Sequence, residues 1–307
     1  MICRFATLSR SPAVFLAMTG LRVPEFPPLV AVIEPAWQAA TQSRLQRPTR
    51  CRAAGGGRHT RLSPQDQILL VVIWLRQYPT NEVLGFLFGV SDSTVSRLVT
   101  RLLPVLEAAG QDAMRMPDPG RSQRKTLDAL LADTPALAVV IDTFEQRIQR
   151  SGNRETADAQ YSGKKKQHTR KSQIAVDETT GLISAVAESV PGPTADIRVL
   201  KESGLLEQLP AEVGGIGDLA YLGLGDLHPE VAGASPRRKP RGKDRPPEDV
   251  AFNRAFAQRR IVVEHAINRL RYYQCLTAMD RQHRRQHTAR VRAVAGLVNH
   301  QIRSRVA

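Results

Sequence analysis

The segment ALAVVIDTFEQRI, residues 136–148, is the strongest single indication of the fold. It begins as a continuous apolar run and continues as an alternation of polar and apolar residues, a pattern that predicts a strand buried in a sheet. Its apolar part carries one carboxylate, Asp142. Because burial of an isolated carboxylate is costly, Asp142 needs a cationic partner or an exposed position at the sheet edge. The segment therefore predicts a core strand that presents a candidate functional side chain.

The residues that follow predict further strands and helices around this one. HTRKSQIAVD (168–177) and GLISAVAESV (181–190) are typical of two strands joined by a turn, and GGIGDL (214–219) is typical of a short strand. An amphipathic helix opens after Pro193, with Asp196 as its expected N-cap. Two helices follow near the C-terminus. Three strands, a helix, a strand and then helices indicate a layered α/β domain.

Upstream, three consecutive segments have the pattern of a helix-turn-helix. SPQDQILLVVIWLRQYP (63–79) predicts a helix with Ser63 as N-cap and Pro64 as its first residue. TNEVLGFLF (80–88) predicts a short second helix, and a turn at Gly89 leads to a third helix that starts at Ser91. This arrangement is typical of DNA-binding helix-turn-helix units, although an ordinary three-helix bundle has the same pattern.

The third helix would read DNA with its outward face, while Val95, Leu98 and Leu102 face the core. The expected DNA-binding residues of this unit are Ser91, Asp92, Ser93, Thr94, Arg97 and Arg101.

The charge balance favours DNA over the bundle alternative. The chain has 307 residues, with 44 Lys and Arg against 29 Asp and Glu, and a formal net charge of +15. Such an excess points to a nucleic acid or an anionic membrane. No apolar run approaches the roughly 18 residues needed to span a bilayer, so a membrane partner is the weaker option. The three cysteines form neither a disulfide framework nor a zinc pattern, which makes the cytoplasm the default compartment.

Three carboxylates are candidates for metal chemistry. Asp142 lies in the core strand, Asp218 ends the GGIGDL strand, and Glu264 lies within a long helix predicted from Asp249 to about Tyr273. Each alone has an ordinary structural explanation. Carboxylates without a Cys or His cluster favour a hard ion, Mg²⁺ or Mn²⁺. Two such ions about 4 Å apart would clamp the attacking and leaving oxygens of a phosphoryl displacement.

The helix around Glu264 adds a phosphate-binding face to this prediction. At 100° per residue, Asn253, Arg260, Glu264 and Arg271 fall within about 40° of one another. A salt-bridged solvent face has the same spacing. Next to a sheet edge that carries carboxylates, however, the arginines would hold phosphates and the acid a divalent cation.

Taken in order, these segments resemble the insertion-sequence DDE transposases, particularly the insertion-sequence-5 group. The resemblance covers most of residues 60–275. The similar stretches are YPTNEVLGFLFGVSDSTVSRLV, VVIDTFEQRI, YSGKKKQHTRKSQIAVD, VPGPTADIRVLKESGLL, GDLAYLGL and FNRAFAQRRIVVEHAINRLR.

The resemblance implies a fold and a domain organisation. The catalytic domain would be ribonuclease-H-like, a mixed sheet flanked by helices, preceded by an all-α helix-turn-helix domain. The expected divisions are an N-terminal helical and basic linker region at 1–59, the helix-turn-helix domain at 60–108, a connector at 109–137 and the catalytic domain at 138–307.

The resemblance also assigns the catalytic acids: Asp142 as the first, Asp218 as the second and Glu264 as the third. The family's R-x₃-E-x₆-K signature corresponds here to Arg260, Glu264 and Arg271, so an arginine replaces the usual lysine.

Two positions depart from the family pattern. Ala257 stands where relatives often have a tyrosine, and Ala220 stands where they usually have a glycine before Tyr221. The first change removes any contact that the tyrosine would make and leaves the metal site unaffected.

The basic segment YSGKKKQHTRKSQ, residues 161–173, leads into the strand beside Asp142 and would hold the DNA backbone near the cleaved bond. The partners implied are double-stranded DNA, both terminal repeats and target, and a second copy in a homodimeric DNA complex, within the bacterial nucleoid. The DNA contacts expected in the catalytic domain are Lys164, Lys165, Lys166, His168, Arg170, Lys171, Arg260 and Arg271.

Two other functions remain compatible with the same residues. A transcriptional regulator would use only residues 60–105 and would bind DNA without cutting it. A structure-specific nuclease on the ribonuclease-H-like scaffold would cut DNA without joining it.

Overall fold

The computed structural model describes residues 3–46, 60–118, 137–210, 213–221, 233–239, 241–242 and 244–306. The chain divides into two compact units. The first unit comprises residues 1–112, 272–278 and 292–307, and the second unit comprises residues 113–271 and 279–291. The C-terminal residues 292–307, which the sequence places in the catalytic domain, therefore group with the N-terminal helices. Residues 47–59 of the expected basic linker region and residues 119–136 of the expected connector lie outside the described residues.

Helices build the first unit. The N-terminal ones are α1 (Phe5–Leu8), α2 (Pro12–Thr19), α3 (Phe26–Leu45), α4 (Pro64–Gln77), α5 (Asn81–Phe88) and α6 (Asp92–Ala113). The central helix is α4, in which every residue from 67 to 75 is buried. No single described helix combines the length and apolarity needed to cross a bilayer; only the bent pair Pro12–Thr19 and Val23–Leu45 meets that test together, by length and composition alone.

Local signals fix α4, α5 and the turn to α6 as the sequence predicts. The Ser63 side chain accepts a hydrogen bond from the backbone N–H of Asp66 at 3.1 Å and caps α4. The Thr80 side chain caps α5, which ends at Gly89 with φ +63°. The turn is tight: a Cβ on Gly85 would lie 2.7 Å from the carbonyl oxygen of Val90, so only glycine fits there.

The second unit contains a mixed seven-stranded sheet. Its strands are β1 (Leu137–Arg147), β2 (Tyr161–Ser162), β3 (Gln167–Asp177), β4 (Ile183–Val186), β5 (Val190–Pro191), β6 (Val213–Ile216) and β7 (Gly233–Ala234). The order is β2-β3-β1-β6-β7, and β4 and β5 also pair with β3. β1 is antiparallel to β3 and parallel to β6. The single strand predicted at 181–190 is thus two short strands, interrupted at residues 187–189.

Helices cover both faces of this sheet. The helices of the second unit are α7 (Arg154–Asp158), α8 (Asp196–Ser203) and α9 (Pro247–Arg271), while α10 (Gln274–Thr277) and α11 (His287–Val306) complete the chain. On one face Val139 packs in a cluster with Leu200 of α8. On the other face Ala138 packs with Phe252 and Phe256 of α9. The predicted α/β architecture, a mixed sheet flanked by helices and preceded by a helical region, is confirmed. Because side chains alternate along a strand, Asp142 shares the face of Ala138, beneath α9.

Candidate active site

Asp142 of β1 lies near Asp218, which follows the end of β6 by two residues. In the parallel pair of β1 and β6, Val140 lies opposite Ile216, and each acid follows its strand's residue by two positions. Adjacent strands are about 4.8 Å apart, so this register brings the two carboxylates together. The sequence predicts both acids as metal ligands, and that role stays a prediction.

The surroundings of Asp142 raise its pKa to about 6. Burial is the main cause, because it disfavours the charged form, and the carboxylates of Asp218 and Asp196 act in the same direction. The backbone N–H of Thr143, which donates to Asp142 Oδ1 at 2.7 Å, and the guanidinium of Arg260 oppose the rise. The mostly buried carboxyl of Asp142 thus experiences the negative charge of two neighbouring acids, and a bound cation would relieve that repulsion.

Helix α9 brings positive charge to this point. Arg260 Nη2 lies 3.6 Å from Asp142 Oδ2, and both side chains are mostly buried. The preceding residue, Arg259, points elsewhere and forms a two-point ion pair with Glu178, at 2.8 Å through Nε and 2.6 Å through Nη2. Glu178 belongs to the turn after β3, so this buried pair holds α9 in position over the sheet. Consecutive arginines therefore have different tasks: Arg259 anchors the helix and Arg260 reaches the carboxylates.

Glu264, the predicted third acid, lies one helical turn beyond Arg260 and is exposed. Within the described part of the chain, no three His, Cys, Asp or Glu side chains are grouped so that they could hold a metal ion. The structure thus brings together two of the three predicted acids and leaves Glu264 outside a three-ligand cluster. The chemistry of the converging donors, carboxylate oxygens only, fits a hard divalent cation.

Asp196 is a part of the site whose role the sequence did not reveal. It is the first residue of α8, and the N-cap is Ala195, so the prediction that Asp196 caps the helix is wrong. Its Oδ1 instead accepts hydrogen bonds from Thr143 Oγ1 at 3.0 Å and from Lys171 Nζ at 2.5 Å. Asp196 therefore links β1, β3 and α8 beside Asp142. Its place three residues after the Pro191–Pro193 turn is the signal that the sequence offers.

The basic segment is divided by the β2–β3 hairpin. Lys164, Lys165 and Lys166 are exposed at the hairpin tip, where Lys166 has a left-handed backbone with φ +53°. Lys171 is 7% exposed and bonds to Asp196 and to the Thr194 carbonyl oxygen, so it acts inside the protein.

The two remaining predicted contacts of this segment are also partly enclosed. The guanidinium of Arg170, on the opposite face of β3 from Lys171, donates to the carbonyl oxygen of Ser189. The ring of His168 packs edge-on against Tyr161 with centroids 5.5 Å apart. Among the predicted DNA contacts of this segment, all of which the structure describes, the three lysines are the exposed ones. Lys164 and Lys165 line a cavity of about 500 Å³ that Arg271 and Asp196 also line.

The predicted recognition helix α6 presents its polar residues as expected. Ser91, Asp92, Ser93, Arg97 and Arg101 are exposed, and Thr94 is half-buried. Two core residues differ from the prediction: Val99 is buried, whereas Leu98 is only half-buried.

A cavity of about 880 Å³ adjoins this helix within the first unit, and Arg97 and Arg101 are among its lining residues. Helix α3 contributes Trp37 and Arg44 to the same cavity, with the Arg44 guanidinium 5.0 Å from the Trp37 ring centroid. Because α3 precedes the helix-turn-helix pattern, sequence reasoning missed both residues.

Comparison with known proteins agrees with both units. The family model described as "DDE superfamily endonuclease" matches residues 141–299, more than half of the chain. The model described as "Helix-turn-helix of DDE superfamily endonuclease" matches residues 60–112. The chain is similar to a protein of Microchaete diplosiphon described as "Probable transposase for insertion sequence element IS702", with 29% identity over 246 residues, 80% of this chain and 83% of that protein. No solved structure matches the chain significantly.

Proposed function

The chain belongs to the DDE superfamily endonucleases and is a DNA transposase, and from that premise we propose that it binds the terminal inverted repeats of an insertion element, hydrolyses the phosphodiester bond at each end and joins the freed strand to target DNA. The observation that carries this proposal is the proximity of Asp142 on β1 to Asp218, two residues beyond the parallel strand β6, with Arg260 3.6 Å from the Asp142 carboxylate. Neither a regulator nor a structural protein requires converging carboxylates at that position.

The proposed ligands are Asp142, Asp218 and Glu264. Members of this superfamily generally use divalent metal ions, and two Mg²⁺ or Mn²⁺ ions would supply activation of the attacking water or 3′-hydroxyl and charge stabilisation of the departing oxygen. Asp142 and Asp218 already converge, and the exposed Glu264 side chain can change rotamer without disturbing the core. Arg260 contributes a fixed positive charge beside Asp142, suited to a non-bridging phosphate oxygen.

The remaining residues would position DNA. The outward face of α6 would enter the major groove of the terminal repeat, with Arg97 and Arg101 closest to the bases or the backbone. The hairpin lysines, 164–166, and Arg271 would hold the backbone near the cleaved bond. Because two element ends must be cut and joined together, the active complex would be a homodimer that holds both ends, formed where the bacterial nucleoid supplies the DNA.

Cleavage of a labelled duplex that carries the element's end tests the proposal. The variants should each lower the nicking rate in Mg²⁺ or Mn²⁺ by more than about 100-fold: Asp142→Asn, Asp218→Asn and Glu264→Gln. Loss of a residue that only supports a metal ligand costs up to about 100-fold, and loss of a ligand itself should cost more. The matched control is Asp158→Asn, at an exposed surface acid, which should nick at the wild-type rate.

The products separate the alternatives. Joined strands together with nicks indicate a transposase, and nicks that are never joined indicate a nuclease. DNA binding without any nicking, unaffected by the three substitutions, would identify a regulator. If only Glu264→Gln retained activity, the site would be completed by another acid.

A further inference from the structure

A second charged site lies in the second unit, beyond the C-terminal end of β1, whereas Asp142 lies in the middle of that strand. It is a cavity of about 590 Å³ formed where β1 ends, beside β3 and the segment that precedes α11. Its lining residues are Ile148, Gln149, Arg150, Ser151, Gln160, Arg170, Asp280, Gln282, His283, Arg284 and Arg285. None of them is a proposed catalytic acid, and of the proposed DNA contacts only Arg170 is shared.

The cavity has a surplus of positive charge. Four arginines line it, and the one carboxylate among the lining residues, Asp280, is buried in an ion pair with the fully buried Arg290. Across the residues that the structure describes, no carboxylate lies within ion-pair distance of Arg150, Arg284 or Arg285. Crowded like charges without a counter-charge repel one another, and an anion in the cavity would relieve that repulsion.

Buried polar atoms at the cavity wall also lack partners. Arg170 Nε is buried and makes no hydrogen bond to any described group, although the guanidinium bonds to the Ser189 carbonyl through its other end. Gln160 is 5% exposed, and its side-chain Oε1 is likewise without a partner. Rotation of that amide by 180° would present its NH₂ group instead. Burial is the main reason why the pKa of Arg170 is lowered, and Arg284 and Arg290 also lower it.

The distance between this cavity and the Asp142 carboxylate is short enough for one DNA duplex to contact both. Ile148 follows Asp142 by six residues and comes directly after the last residue of β1. At about 3.3 Å per residue the two points are about 20 Å apart. In B-form DNA, in which successive phosphates of a strand advance about 3.4 Å along the axis, that distance corresponds to about six nucleotides.

We propose that this cavity binds a backbone phosphate of the DNA whose cleaved bond lies at the carboxylates, about six base pairs away. Arg150, Arg284 and Arg285 supply the counter-charge at the mouth, and Arg170 donates from the wall. The proposal rests on the proposed function for the identity of its ligand. It adds a second anchor that fixes the direction in which the duplex crosses the second unit.

The experiment is a salt titration of DNA binding without divalent metal, by fluorescence anisotropy of a duplex that carries the element's end. The double variant Arg284→Gln/Arg285→Gln should bind about tenfold more weakly at low salt and lower the slope of log K against log salt by about 1 to 2. The control Arg154→Gln/Arg198→Gln removes the same charge from two exposed arginines of the second unit and should keep the wild-type slope.

Two further measurements distinguish the cavity from other basic surfaces of the protein. Arg150→Gln, in an exposed loop, should lower the slope by about 1 and replaces the double variant if that fails to fold. A duplex trimmed to three base pairs on the side that reaches the cavity lacks the proposed phosphate, so wild type and variant should bind it with equal salt slopes. Trimming the other side should leave the difference between their slopes unchanged.

A cavity variant whose slope equals that of the control overturns the proposal. So does a difference that persists on duplexes trimmed from either side. If inorganic phosphate at micromolar concentration binds the wild type but not the double variant while the two proteins bind DNA with the same salt slope, the cavity is a small-anion site and the DNA assignment is wrong. None of these readouts needs cleavage, so a failure to nick would count against the proposed function alone.

Discussion

At the scale of single residues, His287 is a histidine whose protonation is opposed by the core of the second unit. Its ring is fully buried, with Nδ1 2.8 Å from Ser189 Oγ and Nε2 3.0 Å from Gln146 Oε1. Burial first, and then the charges of Arg290 and Arg170, lower its pKa to about 3. The imidazole is therefore neutral, with Nε2–H donating to Gln146 and Nδ1 accepting from the Ser189 hydroxyl.

This histidine should make the second unit sensitive to mild acid. Below the ordinary pKa of 6.5 the unfolded chain binds a proton that the folded protein does not bind until about pH 3. The free energy of unfolding should therefore fall by about 1.4 kcal/mol per pH unit between those limits, or about 2 kcal/mol from pH 6.5 to pH 5. His287→Gln should remove this dependence.

Amide hydrogen exchange in β1 and β3 measures the effect, since both tryptophans, Trp37 and Trp74, lie in the first unit. Above pH 7 the free energies of unfolding of the variant and the wild type should differ by a constant amount. As the pH falls, the two free energies should converge. Parallel profiles from pH 8 to pH 5 would mean that His287 accepts a proton in the folded protein.

Part of the candidate site could be predicted from the types and order of the residues in the sequence. The parallel pairing of β1 with β6 places Asp142 near Asp218, and both strands were recognisable from their apolar runs; the metal-binding role of the two acids stays a prediction. The location of the Glu264 carboxylate depends on where α9 lies along its own axis and on the rotamer of the side chain. The helical periodicity of the sequence specifies neither. Arg170 and Lys171 were expected to act together, but the pleat of β3 turns them to opposite faces.

At the scale of elements, the buried pair of Arg259 and Glu178 determines where α9 lies over the sheet. Both side chains are almost completely buried, at 8% and 3% exposure. Arg259→Met would leave the Glu178 carboxylate in the interior without that cation, at an expected cost of about 3–5 kcal/mol. Because α9 also carries Arg260 and Glu264, the nicking rate should fall as well.

The double variant Arg259→Met/Glu178→Met is the control, since replacing both charges by apolar groups of similar volume should recover most of the stability. Hydrogen exchange in β1 reports the stability, and the nicking assay reports the position of α9. If the double variant regains stability without nicking, the ion pair sets the placement of the helix. Equal stability of the single variant and the wild type would show that the pair is dispensable.

Elements were predicted best where the signal is local. Ser63, Thr80 and Gly89 define the ends of α4 and α5 through a cap or a left-handed turn, which short-range chemistry specifies completely. The sheet depends on pairing between distant segments. The predicted strand at 181–190 is interrupted because it must pair with two separate stretches of β3, around Ala175 and around Lys171. Such a constraint is invisible in the segment itself.

At the scale of the whole molecule, the close approach of two glycines joins α6 to the C-terminal part of α11 within the first unit. A Cβ on Gly296 would lie 2.5 Å from Gly110 Cα, and a Cβ on Gly110 would lie 2.5 Å from the Arg292 carbonyl oxygen. Both obstacles are backbone atoms, so they cannot move aside as a side chain can.

Gly296→Ala should therefore destabilise the first unit. Alanine favours a helix by about 1 kcal/mol over glycine, but overpacking costs about 1–3 kcal/mol, and a rigid backbone contact belongs at the upper end. Thermal unfolding followed by tryptophan fluorescence should show a lower midpoint. Gly152→Ala is the control, because nothing lies within 4 Å of the added Cβ. A midpoint at or above that of the wild type would mean that α6 and α11 are not in close contact.

The assignment of residues 272–278 and 292–307 to the first unit has a consequence for synthesis on the ribosome. The helices α1 to α6 emerge early, yet the central helix α4 packs against α10, which is translated about two hundred residues later. Until then the nascent chain exposes the apolar surface that α10 and α11 will cover. A product truncated within the second unit would therefore keep this apolar surface exposed, and it should be more prone to aggregation and proteolysis than the full chain.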